Sequence, residues 1–416
     1  MNTEKSMKAV MISPDVSVIM TTYNAEAHIE ESLKSVLAQD IVNLEVLCVD
    51  GRSTDGTLEI INAFIKKDSR VRLIYQERPG IGAAKNCGIE NAQGRYITFL
   101  DADDFYVDKT ALRKMYQVCE SEHVDICGAF RSTLFMDGHI ENEPLHRHDC
   151  KVGMPYVRLR YRDRQYDYHF HSYLYRRDMI IHSDARFAEV KAYDDTHFFI
   201  RAMLEAGEFC VTPVELYRYR CGPAYDWGME RANDAILTLT DQLKLTREQG
   251  LAPLHWITLQ RINYEYGSIF EKNILAGDLE LLKRLVVAND EIDANMIREV
   301  EVNPPDEQWY LEPMMHRQYQ DMPLRKGTMP YQPDYIIEPL WRVTHQENST
   351  VLMDENRALK QRVLALEAQL PAAEGSVTQQ SSFLVRKICG GIRCFQEHGL
   401  SYTIHRILQK IKNFVS

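Results

Sequence analysis

Val16-Ser-Val-Ile-Met-Thr-Thr-Tyr-Asn24 begins with a short apolar run, Val16 to Met20, and ends in polar residues. An apolar run of this length, rich in β-branched residues and closed by polar ones, predicts a buried strand. Reading outward, Ile29, Leu33, Val36 and Leu37 recur at helical spacing, and Leu44-Glu-Val-Leu-Cys-Val49 makes a second strand. The alternation repeats. Leu58, Ile61, Phe64 and Ile65 mark a helix, Val71-Arg-Leu-Ile-Tyr75 a strand, Gly82 to Ala92 a helix, and Tyr96-Ile-Thr-Phe-Leu100 a fourth strand. Strand and helix in strict turn imply an α/β fold with a mainly parallel sheet flanked by helices. Ligands of such sheets bind beyond the carboxyl ends of the strands, where Thr21, Thr22, Tyr23, Asn24, Asp50 and Asp101 to Asp104 fall. Residues far apart in sequence are thus expected along one edge.

The whole chain has 416 residues, with Lys+Arg 49 against Asp+Glu 60, a net charge of -11. That balance disfavours a uniformly basic nucleic-acid binder, so no nucleic-acid partner is expected. An apolar fraction of 45% and a charged fraction of 26% belong to a globular chain able to bury a core. No apolar run approaches the roughly 18 residues of a membrane span, and residues 1–13 have no apolar stretch of signal-peptide length. A cytosolic location is expected. The 9 cysteines are scattered without a CxxC pair, so neither a disulfide framework nor a zinc ribbon is implied.

Asp101-Ala-Asp103 is the strongest chemical signal. Two carboxylates one residue apart, just after an apolar strand, can place one on a divalent cation and the other on a neighbouring hydroxyl. Hard oxygen ligands suit Mg²⁺ or Mn²⁺, usually completed by substrate phosphates. The bland alternative is a solvated turn. A second acidic pair, Asp194-Asp195, stands at the expected start of a helix, where an N-cap pair would look the same. Asp55 and Gly56 also precede a helix and read as its cap. Gly80 and Gly82 lack a third glycine at dinucleotide spacing, which disfavours hydride transfer. His146, His148, His169 and His171 with Cys150 make a loose metal pattern, more simply surface or core residues; His169 and His171 could instead border an acceptor.

Four segments taken in order carry a resemblance. Val16 to Asn24, Val49-Asp-Gly-Arg-Ser-Thr-Asp-Gly-Thr57, Gly80-Ile-Gly-Ala-Ala-Lys-Asn-Cys-Gly88 and Tyr96-Ile-Thr-Phe-Leu-Asp-Ala-Asp-Asp104 resemble the signature of family 2 inverting glycosyltransferases of the GT-A fold. The resemblance implies a nucleotide-sugar donor, usually a UDP-sugar, and a Mn²⁺ or Mg²⁺ ion. It puts Thr21 and Tyr23 on uracil and ribose, Asp50 on uracil or ribose, Asp101 on ribose and Asp103 on the metal. Asp104 would point outward or cap a helix. Lys85 takes the place of an arginine that meets the base or diphosphate, and Arg220, in Tyr217-Arg-Tyr-Arg220, lies in a segment that closes the sheet near the diphosphate. Asp194 replaces the usual Glu of an acidic dyad whose second member, Asp195, is the catalytic base. An ordinary Asp, with a pKa of about 3.9, is ionised near pH 7 and needs no tuning for that role. Two departures stand out: Gly51 where a second Asp is common, and Arg52 where Gly is usual.

The resemblance implies a donor-binding part at 14–108 and an acceptor side at 109–225, together one GT-A domain. Residues 226–300 read as a helical extension and 301–345 as an irregular connector rich in proline. At 346–372, Leu352, Asn356, Leu359, Val363, Leu366 and Leu370 keep coiled-coil spacing, compatible with a homodimer through 352–370 or with a single packed helix. The tail, 376–416, carries Arg386, Lys387, Arg393, Arg406, Lys410 and Lys412 against Glu397 alone. Its basic amphipathic character fits peripheral contact with an anionic membrane, or a helix pair packed on an acidic body. By the resemblance, the acceptor is a hydroxyl of a glycan or lipid-linked sugar in surface-polysaccharide synthesis. Two rivals stand beside it: a catalytically silent protein of the same fold, and a sugar nucleotidyltransferase, which would carry a Gly-rich basic loop where Thr21-Thr-Tyr-Asn24 stands.

Overall fold

The computed structural model describes residues 13–41, 43–142, 147, 149–222 and 227–302. The coiled-coil spacing, the basic tail, His146, His148 and all but the first two residues of the connector lie outside the described residues. In the first half the elements are β1 (Val16–Thr22), α1 (Ile29–Leu37), β2 (Leu44–Asp50), α2 (Thr57–Ile65), β3 (Val71–Tyr75), α3 (Ile81–Asn91) and β4 (Tyr96–Asp101). They follow the expected alternation. β1 and β2 are buried almost along their whole length because parallel strands under helices are covered on both faces.

The chain continues through β5 (Phe105–Tyr106), α4 (Ala111–Glu122), β6 (Ile126–Leu134), β7 (Ile140–Asn142), β8 (Val157–Arg160), β9 (Tyr173–Arg176), α5 (Arg177–His182), α6 (Thr196–Ala206) and β10 (Glu208–Arg220). One sheet runs β3-β2-β1-β4-β9-β6-β10-β5, with β7 on β6 and β8 on β10. Its first four strands are parallel, β9 pairs antiparallel with β4 and β6, and β10 returns parallel to β6. Strand order reverses between β1 and β4, which opens a crevice at their carboxyl ends. This is the α/β architecture expected of the GT-A fold.

Two compact units are present, the second beginning beyond residue 225. It contains α7 (Met229–Gln249), α8 (Ala252–Gln260), a π-helical turn (Arg261–Glu265), α9 (Gly267–Leu275) and α10 (Leu279–Asp290), followed by α11 (Ala294–Val302). His255 is fully buried there, bonded through Nδ1 to Thr246 Oγ1 (2.8 Å) and through Nε2 to the Asp293 N–H (2.9 Å). Burial lowers its pKa to about 4, so the ring is a neutral packing element. Among the described residues no helix is long and apolar enough to cross a membrane.

Candidate active site

Strand register decides which polar residues meet. Thr22 is paired with Asp50 and Thr21 with Asp101, at the carboxyl ends of β1, β2 and β4. Thr21 Oγ1 donates to Asp101 Oδ1 at 3.2 Å. The edge anticipated from the alternation therefore exists, at the point where strand order reverses.

Asp50 takes a different role from the expected donor contact. It is fully buried, and its carboxylate accepts from Thr22 Oγ1 (2.8 Å), Ser53 N (2.8 Å) and Ser53 Oγ (2.7 Å). With both oxygens engaged inside the protein, Asp50 shapes the loop after β2. Tyr23 is 67% exposed, and a Cβ at residue 51 would lie 3.2 Å from its ring. Gly51 thus leaves room for the ring in place of a second carboxylate. Arg52 has φ +66, the left-handed region that favours glycine, which accounts physically for the usual Gly at that position. Asp55 accepts from the N–H (3.1 Å) and hydroxyl (2.6 Å) of Thr57, the first residue of α2.

The centre of the site lies beneath α3. Lys85 is 3% exposed, and its Nζ sits 2.9 Å from Asp194 Oδ2. The ammonium also lies 4.5 Å from the Phe170 ring and 5.0 Å from the Phe187 ring, so aromatic faces complete its cage. The expected contact of Lys85 with base or diphosphate is replaced by an ion pair with the acidic dyad. Two features hold α3 there. A Cβ on Gly82 would be 2.0 Å from the Ala188 carbonyl oxygen, so only glycine permits this approach. Asn86 exchanges two hydrogen bonds with the Phe187 backbone, at 2.9 and 3.0 Å. The Ala188 N–H in turn donates to the Asp194 carbonyl at 2.9 Å.

Asp195 occupies the N-cap position of α6, yet its side chain makes no capping hydrogen bond. The cap reading of this residue is therefore the weaker one. Burial pushes its carboxyl up to about 7, the Asp194 charge adds to the rise, and Lys85 opposes it. This corrects the expectation of an untuned carboxylate: the group titrates near neutrality because it is shielded beside another acid.

The loop after β4 is clamped by β10. The Tyr217 hydroxyl accepts from the Asp101 N–H (3.3 Å) and donates to Asp104 Oδ2 (2.6 Å), while Arg220 N donates to Asp104 Oδ1 (2.6 Å). Asp104 is 1% exposed, which contradicts an outward or helix-capping position: β10 folds over it. Burial and the charges of Asp101 and Asp103 push its carboxyl up to about 8, against those two hydrogen bonds. Arg220 donates from Nε to the Asp103 carbonyl (2.9 Å) and pairs with Glu31 (2.8 Å). Its Nε and Nη2 groups fasten the loop to α1 and β10.

Asp101 and Asp103 differ in setting. Burial raises the Asp101 pKa, Lys85 lowers it, and Asp103 raises it again. Asp103 is exposed. Among the described residues no three His, Cys, Asp or Glu side chains form a metal cage. One or two carboxylates completed by substrate phosphates are nevertheless the ordinary way Mg²⁺ is held, and the open Asp103 carboxylate fits that donor set.

Asn86, Tyr217 as a clamp, and Ser53 were not singled out from sequence for these roles. All three lie within the motif segments, but nothing local in the sequence marks the partners that they meet. Backbone strain could not be read at all. Asn24, Arg52, His169 and Tyr193 have positive φ, and Asn24, Arg52 and Tyr193 lie in the loops that carry the edge or precede the dyad. Such clustering is common where a surrounding structure holds a functional geometry.

Residues 17–183 match the family described as Glycosyl transferase family 2. The chain is 30% identical over 214 residues to the uncharacterized glycosyltransferase EpsJ of Bacillus subtilis, covering 50% of this chain and 62% of that protein. It is 48% identical over 96 residues to an uncharacterized glycosyltransferase of Haemophilus influenzae, covering 23% of this chain and 38% of the other. Over 92 residues it is 46% identical to the putative teichuronic acid biosynthesis glycosyltransferase TuaG of B. subtilis, covering 22% and 36%. The chain thus spans less than two thirds of these relatives' own length. The crystal structure of S. aureus TarS 1-349 in complex with UDP-GlcNAc is similar in fold, with a TM-score of 0.54 and 20% identity over 68% of this chain and 82% of that one. Residues 17–183 are thus similar to glycosyltransferase family 2, and the α/β domain that contains them has the GT-A fold.

Proposed function

We propose that this protein transfers a sugar from a nucleotide-diphosphate donor, a UDP-sugar, to a hydroxyl of a glycan or lipid-linked acceptor in surface-polysaccharide synthesis, with inversion at the anomeric carbon. The observation that carries the reading is the packing of Lys85 against Asp194, beside Asp195 and Asp101, at the reversal of strand order. The relative named for teichuronic acid biosynthesis and the UDP-GlcNAc complex of TarS support the substrate class.

In this mechanism Asp195 takes the proton of the acceptor hydroxyl as its oxygen bonds to the anomeric carbon. The bond from that carbon to the diphosphate oxygen breaks on the opposite face, and its electron pair leaves with the nucleoside diphosphate. Asp103, with Asp101, would hold Mg²⁺ or Mn²⁺, whose charge offsets that of the leaving diphosphate. Tyr217 and Arg220 keep the Asp101–Asp104 loop in place, and Thr21 orients the Asp101 carboxylate. Tyr23 presents an exposed ring on which a base can stack.

Hydrolysis of a panel of nucleotide sugars, with Mn²⁺ and without, tests this reading. Metal-stimulated release of UDP from one sugar supports it. Failure of every donor to bind would leave the chain a silent member of its family, and formation of a nucleotide sugar from a sugar phosphate would make it a nucleotidyltransferase.

A further inference from the structure

Beyond β4, on the side of the sheet away from β1 and β2, a group of polar side chains takes no part in the chemistry above. Arg131 lies on β6, opposite Tyr217 in the register of β10. Its guanidinium stands 4.6 Å from the Tyr219 ring. His171, just before β9, packs its ring 4.0 Å from that of Tyr217. Arg131 Nε and both ring nitrogens of His171 are closed off from solvent and have no hydrogen-bond partner. Burial, with the positive charges of Arg131 and Lys85, holds the imidazole neutral. A neutral imidazole has one N–H and one lone pair, so in either tautomer a donor stands idle next to an idle guanidinium N–H. Shielded polar groups left alone cost about 1–3 kcal/mol each, and folded proteins rarely keep several together without a water, ion or ligand to meet them.

Resting on the glycosyl-transfer reading, we propose that Arg131 and His171 form a subsite for a phosphoryl group carried by the acceptor. Phosphoryl oxygens accept from both N–H groups, and Arg is suited to that geometry. The acceptor is favoured over the donor's own diphosphate because Arg131, His171 and Tyr217 belong to β6, β10 and the approach to β9, whereas Thr21, Asp50 and Asp101 end β1, β2 and β4. Tyr217 joins the two regions, since its ring carries His171 and its hydroxyl holds the Asp101 loop.

The test uses the full chain labelled with ¹⁵N-histidine, saturated with UDP and Mg²⁺, and titrated with inorganic phosphate. The expected result is saturable binding in the presence of UDP, movement of one imidazole signal that is missing in His171→Gln, and affinity about tenfold weaker in Arg131→Gln. Competition between phosphate and UDP overturns the proposal, because it puts the subsite on the donor. A folded Arg131→Gln that binds phosphate as the natural chain does also overturns it. Should that variant not fold, an unmoved His171 signal in the natural chain has the same force. A protein that binds UDP but no phosphate sinks this inference alone; one that binds no UDP sinks the functional reading as well.

Discussion

Lys85 Nζ lies 2.9 Å from Asp194 Oδ2, with the two side chains only 4% and 15% exposed. The ammonium comes from the fifth residue of α3 and the carboxylate from the loop before α6, 109 residues later. Their meeting ties α3 to the Asp194–Asp195 pair, so the ion pair is both a tether and a local influence on charge.

Lys85→Met leaves Asp194 shielded and unpaired. Breaking a buried pair from one side costs about 3–5 kcal/mol, read as a lower melting temperature. Because Lys85 holds the Asp195 carboxyl down, the acid limb of the pH–activity profile should also move to higher pH. A limb that stays in place would show that the lysine charge does not reach Asp195.

Asp195→Asn should leave UDP binding by calorimetry near that of the natural chain and lower turnover roughly 10²- to 10⁴-fold. In the natural chain the raised Asp195 pKa means that the ionised base accumulates as pH rises through about 7, so kcat should climb through that range and level off above it. Near-normal turnover in the Asn variant would remove Asp195 from the base role.

Asp103→Ala removes the exposed carboxylate of the β4 loop and leaves the Tyr217 and Arg220 clamps on Asp104 untouched. UDP binding should then lose its response to Mn²⁺ while the melting temperature changes little. Retained metal-assisted binding would move the ion to other residues.

Arg52→Gly replaces a side chain held at φ +66 by the residue that adopts this conformation freely. Relief of the left-handed penalty is expected to stabilise the protein by about 1 kcal/mol, measured by denaturant unfolding. A loss of stability would show that the Arg52 contact with the Tyr75 ring, at 5.8 Å, outweighs the strain.

Gly82→Ala drives a methyl group to within 2.0 Å of the Ala188 carbonyl oxygen. The loop that leads to Asp194 must retreat, at an expected cost of about 1–3 kcal/mol and with a fall in donor hydrolysis. Unchanged activity would mean that the loop can move without disturbing the dyad.

The chain order of the first four strands was legible because each is a short apolar run bounded by turn residues. Thr21, Asp50 and Asp101 could be assigned to strand ends for the same reason. Burial of individual carboxylates could not be read. Asp50 and Asp104 look from sequence like edge residues, but one is enclosed by Thr22 and Ser53 and the other by β10, which returns more than a hundred residues later. The placing of β9 between β4 and β6 was equally hidden, since antiparallel insertion depends on long-range pairing and leaves no local period.

Local hydrophobic periodicity and the ordered motifs were enough to give the α/β class, the resemblance to family 2 and the edge where polar residues gather, because strand burial and turn residues act over a few positions. Tertiary structure alone decided that Lys85 serves Asp194, that Asp195 titrates near neutrality, and that Asp50 and Arg220 support the site from within. Those outcomes depend on desolvation and on charges brought together across a hundred residues, and neither quantity exists until the chain has folded.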